Sequence, residues 1–133
     1  MITIRPVTCE EDFQVMLHME SAIARDSDPV AYTAHPSQLV FFRYLYGSGG
    51  DIFSRGKLLA RNGVTIGYAL IHPGEPQFSL RLLPTYEGDY TEAILGMEAL
   101  FPHNSPLTVI ANSLYTPFCD ALTHCGFTRL REG

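Results

Sequence analysis

Apolar and polar residues alternate at the start of the chain. Ile2, Ile4 and Val7 stand among polar neighbours, a period that predicts a first strand. Thr8 with Glu11 three residues on has capping-box spacing, and Phe13, Met16, Leu17 and Ile23 follow at helical intervals. A helix is therefore expected from about Cys9 to Ala24, stopped by "RDSDP". Residues 35–46, "HPSQLVFFRYLY", predict a second helix capped near Ser37, and "GSGGD" ends it. Phe41, Phe42, Tyr44 and Tyr46 on that helix either pack on a sheet or form the wall of an acceptor pocket.

"KLLARNGVTIGYALI" predicts a hairpin that turns at Asn62-Gly63. "QFSLRLL" reads as the next strand, ended by Pro84. Tyr90, Ala93, Ile94, Met97, Leu100 and Phe101 recur at helical spacing and predict a third helix over about 90–101. "LTVIA" predicts a short strand buried on both faces, and Thr116-Pro117 opens a fourth helix. Phe118, Ala121, Leu122 and Cys125 line one face of it, and Gly126 is a natural stop. "FTRLR" reads as a last strand. The order β-α-α-β-β-β-α-β-α-β predicts an α/β fold with a mainly antiparallel central sheet and flanking helices. The third to fifth strands are expected to be the most buried.

The 133 residues predict a single domain, 1–133. The 46% hydrophobic and 17% charged composition is globular, with no apolar run of membrane-spanning length. The start lacks an apolar signal core, so the cytoplasm is the expected compartment. A net charge of −5, with Lys57 the single lysine and no basic stripe, excludes nucleic acid as the expected partner. Cys9, Cys119 and Cys125 are expected as buried thiols acting as small hydrophobes, outside any disulfide framework, and the five histidines show no metal-ligand spacing.

One segment combines a strand, a turn and a helix start in the layout of an anion-binding turn: "LLPTYEGDYTEAI", residues 82–94. The element order, "ITIRPVTCEEDF", the "LLARNGVTIGYALI" hairpin, "LLPTYEG" and "ALTHCGF" together resemble the GNAT N-acetyltransferase superfamily over nearly the whole chain. The resemblance implies acetyl transfer from acetyl-CoA to a small-molecule amine or a protein acceptor. It implies that backbone groups at Leu82 and Leu83 pair with the pantetheine arm, and that the turn at Gly88, Asp89 and Tyr90 holds the pyrophosphate. It also implies a general base, for which Glu75 is the candidate. The acid that protonates the departing thiolate falls at Leu122 by the family's spacing, and Tyr115 is the nearby alternative.

The sequence departs from the family's pattern at the turn. Glu87 stands where the family has Arg or Gln, and Tyr90 and Glu92 stand where it has small residues. Asp89 and Glu92 are expected to cap the helix amides in place of a phosphate. A carboxylate about 6 Å from a phosphate charge costs about 1–3 kcal/mol, so weak or absent coenzyme A binding is expected. The strand that follows the Gly-Phe strand in the family has no counterpart before Gly133. The chain thus resembles the first half of tandem members, and a homodimer or a second GNAT domain is expected to complete its sheet. Two functions follow: an acetyl-CoA-dependent N-acetyltransferase, or a non-catalytic GNAT-like module that binds a partner or completes a larger acetyltransferase.

Overall fold

The computed structural model describes residues 1–26, 55–71, 76–102, 106–109, 111 and 116–128. The helix expected over 35–46, Glu75, Tyr115 and most of the "FTRLR" strand lie outside the described residues.

The first strand, β1 (Ile2–Pro6), leads into helix α1 (Glu10–Asp26). The cap of α1 differs from the expected pair. Asp12, not Glu11, accepts from both the Thr8 N–H (3.1 Å) and the Thr8 hydroxyl (3.2 Å). Arg5 adds a 2.8 Å ion pair to the same carboxylate and, with the Thr8 bond, holds its pKa down at about 2. Asp12 lies on the buried side of the helix and pairs with Arg5, whereas Glu11 is exposed.

Strands β2 (Gly56–Arg61) and β3 (Val64–Ile71) form the expected hairpin. Asn62 (φ 53°) and Gly63 (φ 80°) take the positive φ values that a two-residue turn of this twist requires. Strand β4 (Gln77–Leu82) follows, then a 3-10 helix (Pro84–Asp89) and helix α2 (Tyr90–Glu98). Strand β5 (Thr108–Val109) and helix α3 (Thr116–His124) complete the described elements. Gly126 (φ 93°) ends α3 in a Schellman arrangement: its N–H donates to Thr123 O, and the Phe127 N–H reaches back to Leu122 O.

The sheet order is β1-β2-β3-β4-β5, antiparallel except for the parallel β4–β5 pair. Strand alternation divides the core in two. Leu58 and Tyr68 face α1, where Phe13, Met16 and Ile23 meet them. Leu59, Ile66, Ala69, Phe78, Leu80 and Leu82 face α2 and α3 on the other side. The fifth strand is less buried than its apolar run predicts: Thr108 is exposed, and Leu107 and Val109 are half-buried. Among the described residues, pairing with β4 covers Gln77↔Thr108 and Phe78↔Val109, at the Gln77 end of β4.

One position on α1 breaks the core rule. Glu20 falls on the stripe of Phe13, Met16 and Ile23, and it is 1% exposed. The spacing 13, 16, 20, 23 carries that signal in the sequence, because each step is one helical turn.

Candidate functional site

The Leu82 end of β4 is where the expected cofactor groups lie. The Leu83 N–H donates to Ile66 O of β3 at 2.8 Å. Successive amides of a strand point to opposite neighbours, so the Leu82 N–H points away from β3, to the side of β5. Among the described residues, pairing with β5 reaches Phe78, four residues earlier. The Leu82 N–H instead donates to the phenol oxygen of Tyr90 at 2.9 Å. Tyr90 is 2% exposed, and its ring packs on Phe118 of α3 with centroids 4.9 Å apart. The first side chain of α2 therefore occupies the wedge beside β4.

The turn between them is not an open loop. The 3-10 helix Pro84–Asp89, kinked at Tyr86, runs directly into α2. Its N–H groups turn back onto carbonyls three residues earlier, as Tyr86 N–H to Leu83 O at 2.8 Å illustrates.

Asp89 and Glu92 do not cap the helix, contrary to the expectation from sequence. Asp89 occupies the N-cap position without a side-chain cap bond. Both acids turn to Arg61, which donates from Nε to Asp89 Oδ2 at 3.2 Å and from Nη2 to Glu92 Oε1. Glu92 Oε2 accepts the Ile2 N–H at 2.6 Å. Arg61 faces Ile2 in the β1–β2 register, so both donors come from one corner of the sheet beneath the start of α2. Charge-assisted bonds to a guanidinium outcompete helix amides that the 3-10 turn has already directed inward. The Ile2 amide and Arg61 hold the Glu92 carboxyl below its ordinary pKa, and Glu92 raises that of Arg61. In Arg61→Met the Glu92 carboxyl is expected to titrate closer to its ordinary value, measured by side-chain 13C shifts against pH. An unchanged midpoint would mean that the Ile2 amide alone sets it.

The other expected residues are dispersed. Gly88 is exposed with open space around its Cα, and Glu87 is exposed. On β4 itself, Ser79 and Arg81, which carry no site expectation, lie opposite Leu70 and Tyr68, which places them on the α1 face and away from Tyr90. Cys9, Cys119 and Cys125 are free thiols, but they are not buried as expected: Cys9 is exposed, and Cys119 and Cys125 are half-buried. Sequence reading missed Arg61, whose partners lie 28 and 31 residues away. It read Tyr90 as bulk at the turn, not as a hydrogen-bond acceptor inside the wedge.

No protein-family model matches the chain, and no curated protein sequence matches it. Solved structures do. A GNAT family acetyltransferase from Brucella melitensis, in complex with acetyl-CoA, is similar at 14% identity and a TM-score of 0.56, covering 97% of this chain and 84% of that one. A predicted acetyltransferase with acetyl-CoA from Clostridium acetobutylicum matches at 15% identity and a TM-score of 0.58, covering 100% and 94%. A GCN5-related N-acetyltransferase from Ralstonia eutropha matches at 14% identity and a TM-score of 0.54, covering 100% and 96%. The mixed sheet, five-stranded among the described residues, and its flanking helices have the fold of the GNAT acetyltransferases.

Proposed function

We propose that this chain, built on the GNAT acetyltransferase fold, is a non-catalytic module in which the place of the acyl donor is filled by the protein's own Tyr90. The observation that carries this reading is the bond from the buried Leu82 N–H to the Tyr90 phenol. By resemblance, that backbone position is where a pantetheine arm pairs. An acetyl-CoA molecule would have to displace the phenol and separate Tyr90 from Phe118. Exposing a buried aromatic side chain costs about 2–3 kcal/mol, which lowers affinity about 30- to 150-fold.

The charge at the turn supports the same reading. A pyrophosphate needs free amides at a helix start and no competing anion. Here the preceding chain is a 3-10 helix, and Arg61 is engaged by Asp89 and Glu92. Glu87 adds a further carboxylate on the exposed side. The residues present do not suit acetyl-CoA, so no acyl-transfer step is assigned to Glu75 or Tyr115. The fold then serves as a scaffold for contact with another chain or domain.

Release of free thiol from acetyl-CoA in the presence of a panel of primary amines tests the proposal. The expected rate equals that of the protein-free control. Saturable turnover proportional to protein concentration would overturn the reading and restore acetyl transfer to an amine as the function.

A further inference from the structure

Glu20 stands apart from the wedge and from the Arg61 corner. It lies at the centre of the α1 inner stripe, 1% exposed, and its Oε1 meets no hydrogen-bond partner among the described residues. One helical turn away on either side are Met16, Leu17, Ile23 and Ala24, none of them charged. The sheet face opposite α1 carries Leu58 from β2, the phenol of Tyr68 from β3, and Arg81 from β4, which sits across from Tyr68 in the register. Of these, Arg81 is the cation whose field reaches Glu20. A protonated carboxyl suits such a place, and a charged one is disfavoured, because apolar surroundings replace water.

We propose that Glu20 makes the docking of α1 on β2 and β3 proton-dependent: the carboxylic acid holds the helix down, and the carboxylate loosens it. Burial pushes the Glu20 pKa up from 4.5 to about 7, against the opposing pull of Arg81. The sign follows from linkage. The docked state holds the proton more tightly than the open state, so docking is strongest below the ordinary carboxylate range. It weakens as pH rises through the window from 4.5 to about 7, and is constant above it. This inference does not depend on the reading of the Tyr90 wedge.

Hydrogen exchange of the α1 amides, corrected for intrinsic rates, tests it on the full chain. Between about pH 5 and pH 8 the opening equilibrium of the wild-type helix is expected to rise about 70-fold. In Glu20→Gln it is expected to stay within about threefold over the same range. An equal rise in both proteins would overturn the proposal. Should the variant not fold, a 13C titration of the Glu20 carboxyl in the wild type decides the matter. A midpoint near neutrality, moving higher still in Arg81→Met, supports it, and an ordinary midpoint near 4.5 sinks it.

Discussion

Gly67→Ala is expected to destabilise the protein by about 3 kcal/mol, at the upper end of what overpacking costs in a well-filled core. Gly67 lies in the middle of β3, directly opposite Leu82. A Cβ there would sit 2.2 Å from the Arg81 carbonyl oxygen, 2.6 Å from Leu82 Cδ2 and 2.9 Å from Leu82 Cα. Two of these atoms are backbone, so the clash cannot be relieved by rotating a side chain. Strands β3 and β4 must separate, and their ladder is the frame of the wedge. Urea denaturation is expected to show a lower midpoint with an unchanged slope. A wild-type midpoint would mean that β3 and β4 can move apart without loss, which contradicts a rigid β4 edge. Gly96 is the informative contrast. A Cβ there meets only the Ile4 Cδ1 tip at 2.9 Å, and a flexible side chain can give way.

Tyr90→Ala is expected to cost about 3–5 kcal/mol, the range for removing a buried aromatic side chain. Two losses combine: the ring contact with Phe118 and the acceptor for the Leu82 N–H. Tyr90→Phe separates them. It keeps the ring and leaves a buried donor without its acceptor, at a cost of about 1–3 kcal/mol. In that variant the Leu82 amide should exchange faster than in the wild type, while the Leu83 amide, bonded to Ile66, stays protected. Equal stability of Tyr90→Phe and the wild type would mean that water or another group satisfies Leu82 equally well. The phenol would then be a filler and not a ligand substitute.

The elements governed by local chemistry were legible from the sequence. The Asn62-Gly63 pair demands positive φ at both residues, and few other dipeptides satisfy a tight hairpin as well. Gly126 ends α3 for the same kind of reason, and the apolar stripes of α1 and α3 fall where the spacing put them; α2 stops at Glu98, short of the expected 101, and leaves Leu100 exposed. The candidate site was legible only in part. That the turn carries acids and bulk is written in the sequence, but where those groups point is a tertiary matter. Asp89 and Glu92 read as caps because local spacing favours it. They turn away because folding brings Arg61 and the Ile2 amide to the same corner. Tyr90 reads as an obstruction, and only the folded structure shows that its oxygen meets a backbone donor. The fifth strand misled for a simpler reason: a continuous apolar run implies burial on both faces, yet Thr108 within it faces out. Glu20 was readable from the stripe spacing, since a charged residue one turn from Met16 and Ile23 has nowhere to go but the core.

Titration calorimetry of the wild-type chain with acetyl-CoA tests the central claim most directly. With Tyr90 seated on the Leu82 amide, a Kd no tighter than about 30–150 μM is expected, about 30- to 150-fold weaker than a conventional site that binds at micromolar concentration with about 8 kcal/mol of free energy. One-to-one binding with a low-micromolar Kd would contradict the account, because it would show that the phenol yields the wedge to the cofactor at little cost.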